Sequence, residues 1–161
     1  MSEQLLPGYY IRRGSTLERS LLVKFMQRTY QDLFPQQDFA HLAQTVEQYL
    51  SQDTPLWWVE FLDEEDSPQP PIACLWVGNA IDQIQGDRHA HIFLLYVVPE
   101  HRRRGVGTAL MKYVENWAIQ RGDRQIGLQV WQSNPVALNL YNHLGYQTQS
   151  LWMVKSLHSH K

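Results

Sequence analysis

Arg102-Arg103-Arg104-Gly105-Val106-Gly107 stands directly behind the apolar run Ile92 to Val98. A strand that empties into an Arg- and Gly-rich turn, followed by an amphipathic segment, builds an anion cradle. Glycines carry no Cβ, so the backbone can approach a ligand closely. The first N–H groups of a helix lack intrahelical partners and sit at the positive end of its dipole. Together these features make a phosphate site and point to a phosphorylated small molecule. Two familiar phosphate motifs fit poorly. A P-loop needs Lys and then Ser or Thr after its last glycine, and Gly107 is followed by Thr108 and Ala109. A dinucleotide fingerprint needs a third glycine and an acid at the end of the next strand. Leu110 holds the first position, and the next strand closes on Val130-Trp131-Gln132.

The surrounding pattern supplies the elements that must position this turn. Tyr9 to Arg13 reads as a strand closed by Gly14. Ser15 or Thr16 caps a helix with Glu18 in its first turn, and Leu17, Leu21, Leu22, Phe25 and Met26 recur at helical spacing. Leu33-Phe34-Pro35 ends it. Asp38 caps a second helix through Leu50, which Pro55 follows. Strands are expected at 56–62, 72–80 and 92–98, the last almost wholly apolar and therefore buried on both faces. The stretch 63–71 is an acidic, Pro-rich turn, read as a solvated loop. Gly105 to Arg121 is a helix with an apolar stripe of Val106, Leu110, Tyr113, Val114 and Trp117, stopped by Gly122. A strand at 125–131 follows. Ser133 or Asn134 then caps a short helix with Pro135 in its first position, running through Tyr141 to Leu144. Residues 146–155 read as a final strand. The order β-α-α-β-β-β-α-β-α-β gives an α/β (α+β) domain spanning residues 1–161, with no repeat and no dividing linker.

Composition narrows the function. The formal charge of −2 argues against a general nucleic-acid binder, which needs a basic surface. No apolar run approaches the roughly 20 residues that span a bilayer, and the first residues show no leader pattern, so the cytoplasm is the expected compartment. The single cysteine, Cys74, lies in an apolar run and reads as a small buried hydrophobe rather than a catalytic thiol. The tail from His158 to Lys161 reads as a frayed end rather than a metal site. The run Leu151 to Val154 serves equally as a buried strand or as a surface pairing two copies, so monomer and homodimer both stay open.

Leu95-Tyr96-Val97-Val98-Pro99-Glu100-His101-Arg102-Arg103-Arg104-Gly105-Val106-Gly107 resembles the acetyl-CoA motif of the GNAT N-acetyltransferase superfamily. Asn134-Pro135-Val136-Ala137-Leu138-Asn139-Leu140-Tyr141-Asn142-His143-Leu144-Gly145-Tyr146 resembles the same family's second motif. The resemblance is specific within about 92–146. It implies a mostly antiparallel central sheet flanked by helices, with acetyl-CoA as cosubstrate and no metal. It further implies that main-chain amides from Arg103 through Gly105, Val106, Gly107 and Thr108 hold the diphosphate, with help from Arg102, Arg103 and Arg104. Leu95, Tyr96 and Val97 then pair with the pantetheine, and this strand splays from 128–130 to open a slot. The resemblance makes a backbone N–H near Leu95 the donor that polarises the acetyl carbonyl. It also places Asn134 on the pantetheine and makes Tyr141 the acid for the leaving thiolate.

The acceptor of the attacking amine's proton is not fixed by the motifs. Gln129 stands where some relatives place a Glu, and Phe93 and Leu94 stand where others place an acid. His89, His91, Glu60 and water remain candidates. Tyr30, Leu33, Phe34, Pro35 and Phe39, with Trp57 and Trp58, suggest an apolar or aromatic acceptor rim. The expected activity is direct acetyl transfer, in a ternary complex, to a small amine, an amino acid or a protein N-terminus. Its rivals are a non-catalytic acyl-CoA sensor and a Rossmann-type nucleotide-binding oxidoreductase.

Overall fold

A computed structural model describes residues 2–62 and 69–158. Six strands form one sheet in chain order: β1 (Ser2–Leu6), β2 (Tyr9–Arg13), β3 (Leu56–Phe61), β4 (Ala73–Ile81), β5 (Arg88–Val97) and β6 (Ile126–Leu128). All neighbours are antiparallel except β5 and β6. A single parallel pair at one edge excludes the Rossmann-type alternative, which requires a mostly parallel sheet wound on both sides. Helices α1 (Arg19–Leu33) and α2 (Leu42–Tyr49) follow β2, α3 (Val106–Arg121) follows β5, and α4 (Pro135–His143) follows β6. No helix among the described residues is long and apolar enough to cross a membrane.

The strand period of two sorts side chains into two cores, one on each face of the sheet. Leu56, Trp58, Cys74 and Trp76 join Leu22, Phe25 and Val46 from α1 and α2. Trp57, Val59, Ala73, Leu75 and Val77 join Val106, Leu110, Met111 and Val114 of α3. Trp57 (3 % exposed) and Trp58 (0 %) are therefore core residues, one on each side, and not part of an acceptor rim. Cys74 is wholly buried, and burial pushes its thiol pKa up.

The N-terminal elements follow local chemistry. Ser15 and Glu18 form a reciprocal capping box ahead of α1, and Glu18 also accepts from Arg12 Nη2 at 2.8 Å. Sequence reading missed β1, which forms a hairpin with β2 across Pro7-Gly8, with Gly8 at φ +85°. The second helix starts at Leu42 rather than Asp38, whose Oδ1 instead accepts from Ala40 N–H in a preceding turn (2.9 Å). Two strand expectations fail at the far edge. β6 covers only 126–128 of the expected 125–131, and residues 146–155 form no strand. Both segments have strand-forming residues, but an extended chain becomes a strand only where a ladder partner runs alongside. The loop expected at 63–71 falls largely outside the described residues, as does the tail after residue 158.

Asp123 fastens this far edge. Its side chain is 1 % exposed, accepts from the Ala90 N–H on β5 (2.7 Å), and pairs with Arg121 at 2.6 Å and Arg88 at 3.6 Å. Burial works to raise its pKa, but the Arg121 guanidinium and the Ala90 amide outweigh that and hold it below the ordinary carboxylate value. Because the folded pKa is depressed, the stabilisation is complete above the unfolded value near 3.8 and disappears as pH falls through the folded value. Asp123→Asn is expected to lower unfolding stability by about 1–3 kcal/mol at neutral pH. In urea titrations the gap to wild type should hold down to about pH 4 and close below it.

Candidate functional site

The site begins with an irregularity in β5. On β4, Trp76 lies opposite Leu94 and Val77 opposite Ile92, so Phe93 is an extra residue on β5. Such a bulge kinks the strand and re-aims its side chains. Phe93 and Leu94 consequently both turn toward the α1/α2 core. The Phe93 ring occupies the space over Gly78, where a Cβ would lie 2.1 Å from Phe93 Cζ. Parallel pairing with β6 is confined to Ala90–Ile126, His91–Gly127 and Ile92–Leu128. It stops at the bulge. Beyond Ile92, β5 pairs only with β4, through Leu94, Leu95, Tyr96 and Val97. Beyond Ile92 one flank of the β5 main chain thus has no neighbouring strand, and the space beside it, toward the chain after Leu128, is the candidate slot.

The anion turn sits at the end of β5. A short 3₁₀ turn (Pro99–His101) leads into it, Arg103 adopts φ +64°, and Gly105 caps α3 at φ +85°. Left-handed residues on either side of Arg104, which is not left-handed, tilt neighbouring N–H groups toward one concavity, a nest suited to anions. The first main-chain bond into α3 comes from Ala109 N–H to the Gly105 carbonyl (3.0 Å), so the amides before it lie outside the helical ladder. A Cβ on residue 107 would lie 3.6 Å from Leu140 Cδ2. Glycine there leaves the space between the first turn of α3 and α4 open.

The three arginines have different jobs. Arg102 Nε donates to the Val97 carbonyl (2.8 Å), its Nη2 meets Asp32 Oδ2 at 3.2 Å, and its guanidinium lies over the Tyr96 ring. It braces the turn against α1. Arg104 Nη1 donates to the Tyr9 hydroxyl (3.2 Å), which lies 2.7 Å from His101 Nδ1. The Tyr9 hydroxyl thus bridges Arg104 and His101. Burial and the Arg104 charge lower the His101 pKa, in keeping with Nδ1 as acceptor. Arg103 is exposed and makes no ion pair or hydrogen bond among the described residues.

Helix α4 borders the same space. Asn134 Oδ1 caps it by accepting from Ala137 N–H (3.2 Å), which leaves its amide NH₂ as the remaining donor. The Tyr141 hydroxyl has no hydrogen-bond partner among the described residues. Its ring packs edge-on against Tyr146, and burial pushes its pKa up to about 12. The phenol therefore stays protonated across the working pH range.

The candidates for a base separate clearly. Glu60 lies on β3, two strands from the slot, and pairs with Arg12 at 3.3 Å. Gln129 is exposed beyond the end of β6. His89 and His91 both crowd Gly127, where a Cβ would lie 3.3 Å from His89 Cε1 and 3.5 Å from His91 Nδ1. His89 is buried, with Nδ1 2.9 Å from the Ala90 carbonyl. His91 is half-buried where β5 and β6 part, and burial, with the neighbouring His89, lowers its pKa. Of the aromatic residues expected at the rim, Phe34 packs edge-on against Trp131 at 5.2 Å, beside the slot. Tyr30 and Phe39 pack on each other. Sequence reading missed the pairing of Tyr49 with Phe93 (6.0 Å), because a bulge leaves no periodic mark.

Residues 22–146 match the family model described as "Acetyltransferase (GNAT) family". An uncharacterized N-acetyltransferase of Methanocaldococcus jannaschii is 33 % identical over 78 residues, covering 48 % of this chain and 33 % of that protein. The thialysine N-epsilon-acetyltransferase of Mus musculus is 38 % identical over 60 residues, covering 37 % of this chain and 35 % of that one. The match thus spans about a third of each curated relative. A crystal structure of a predicted acetyltransferase from Clostridium acetobutylicum with acetyl-CoA superposes with a TM-score of 0.74 at 20 % identity, covering 94 % of this chain and 99 % of that one. A family match over more than half the length, with this sheet and this turn, places the chain in the GNAT acetyltransferase family.

Proposed function

We propose that the protein transfers the acetyl group of acetyl-CoA directly to a primary amine in a ternary complex. The observation that carries this reading is the coincidence of two unfilled main-chain surfaces, the open side of β5 beyond Ile92 and the amides ahead of Ala109. One suits an extended amide-bearing arm and the other a diphosphate. When bound, acetyl-CoA supplies a thioester carbonyl open to attack. Amides of residues 103–108 hold the diphosphate, with Arg103 as the free cation and Arg102 and Arg104 as braces. Main chain from Leu95 to Val97 pairs with the pantetheine, and the Leu95 N–H polarises the carbonyl. The Asn134 amide NH₂ meets the pantetheine, and Tyr141 donates a hydrogen bond to the departing sulfur. His91 takes the ammonium proton. It faces no opposing charge from Gly78 on β4 or Gly127 on β6, its strand neighbours.

The rim favours an acceptor with one amine on an apolar or aromatic body. Phe34, Tyr49, Phe93 and Trp131 supply rings, and the nearby carboxylate, Asp32, is spent on Arg102. A polycationic acceptor would want free carboxylates. The mouse relative is named for acetylating the ε-nitrogen of thialysine, a primary amine on a small amino acid.

Release of free CoA thiol across a panel of amines, with calorimetry for acetyl-CoA, CoA and NADH, tests the assignment. Binding of acetyl-CoA with no thiol release for any amine would instead favour the sensor reading. Gly107→Val should weaken CoA binding at least a hundredfold while the melting temperature stays close to wild type, since a Cβ there meets only Leu140. Tyr141→Phe should lower kcat about tenfold to a hundredfold with acetyl-CoA affinity unchanged. The kcat profile should rise with pH through a value below 6.5, as His91 loses its proton, and His91→Gln should abolish that limb.

A further inference from the structure

The Tyr141 phenol has one hydrogen bond to present at one place, yet its hydroxyl is held by no partner among the described residues. A functional side chain needs its rotamer locked by its surroundings. The end of α4 supplies the first part of that lock. Gly145 stands just past the helix at φ +92°. Its N–H donates to the Asn142 carbonyl (3.1 Å), and the Tyr146 N–H reaches back to the Tyr141 carbonyl (3.0 Å). This pair of bonds closes a helix on a left-handed glycine and folds the residue after the glycine onto the last turn. Tyr141 and Tyr146 are the two residues so joined, and their rings meet edge-on at 5.7 Å.

The second part lies on α3. The Tyr146 hydroxyl donates to Glu115 Oε2 (2.7 Å). Glu115 makes no ion pair among the described residues, so its carboxylate is committed to this hydroxyl. Burial and the Glu115 carboxylate push the Tyr146 pKa up, so the proton stays on the phenol and the bond keeps its direction. A phenylalanine at position 146 would give the same ring contact. The hydroxyl adds the tie to α3. That helix begins at the anion turn, where Gly105 caps it, and Glu115 lies about 15 Å further along the axis. One rigid helix therefore carries both the amides proposed for the diphosphate and the residue that locates Tyr141.

We propose that Glu115 and Tyr146 are positioning residues for the transfer: Glu115 holds the Tyr146 ring, and that ring holds the Tyr141 phenol at the departing sulfur. Both act through Tyr141. The consequence for rate rests on the acetyl-transfer reading, whereas the hold on the Tyr141 ring does not. The tie to Glu115 is needed because the chain beyond Tyr146 offers no support. Residues 147–158 form no ladder and are all exposed. Without the tie the Tyr146 ring is free to swing with that chain, and Tyr141 loses the surface it packs on.

In the full chain, Tyr146→Phe and Glu115→Ala should each lower kcat about threefold to tenfold with the KM for acetyl-CoA unchanged. Glu115→Gln, whose amide oxygen still accepts, should restore the wild-type rate. In a Tyr141→Phe background, Tyr146→Phe should add less than about a twofold loss, since both act on one group. An unchanged kcat, a KM that rises as kcat falls, additive losses or no rescue by glutamine overturns the proposal. A readout without turnover separates the contact from the reaction. In protein labelled with carbon-13 at the tyrosine ζ position, the Tyr141 signal is identified by its loss in Tyr141→Phe. It should shift and broaden in Glu115→Ala and return in Glu115→Gln, and a signal that stays in place in Glu115→Ala overturns the proposal. If no amine releases thiol from the wild type while that signal moves, the acetyl-transfer reading falls and the hold on Tyr141 stands.

Discussion

One extra residue in one strand governs this molecule. Because Phe93 has no partner on β4, β5 bends there and parallel pairing with β6 ends at Ile92. Main-chain donors and acceptors in protein interiors are nearly always paired. A strand left with an open flank next to a helix N-terminus therefore has a standing demand for hydrogen bonds. The bulge, the short β6 and the glycine at position 78 that makes room for the Phe93 ring are parts of a single arrangement.

The turn after β5 separates recognition from scaffolding. An Arg-rich loop suggests that side-chain charge does the binding, but two of the three guanidinium groups, though exposed, are hydrogen-bonded to the protein. Arg102 ties the turn to Asp32 on α1 and to the Val97 carbonyl, and Arg104 ties it to Tyr9 on β2. In the proposed complex, ligand contact falls to main-chain amides and Arg103. Amides fixed by left-handed geometry at Arg103 and Gly105 need no reorganisation to meet an anion, whereas flexible side chains lose rotamer freedom on doing so.

The sequence made local features legible and pairing partners much less so. Capping at Ser15 and Asn134, the Gly122 stop and both helix stripes follow from residues within a few positions of one another. The Arg-Gly turn is equally local, and so was found with its boundaries nearly right. The β1–β2 hairpin turns on Pro7-Gly8, but the polar run Ser2, Glu3 and Gln4 shows no apolar alternation to mark its first strand. The bulge at Phe93 was invisible, since it depends on the register against β4. Trp57 and Trp58 were expected at the acceptor rim, yet period-two alternation sends one into each core. Residues 146–155 failed as a strand because strand identity depends on a neighbour that composition does not specify.

The burial of Cys74 has a consequence for thiol chemistry. A reaction that releases a free thiol beside a protein sulfhydryl invites oxidation of the two into a mixed disulfide. Here the lone sulfhydryl is sealed beneath the sheet among Phe25, Trp58 and Tyr96, with its proton held more tightly than usual. Thiolate is the reactive form in such exchange. In the proposed transfer the protein therefore presents no thiolate at this position to the released thiol.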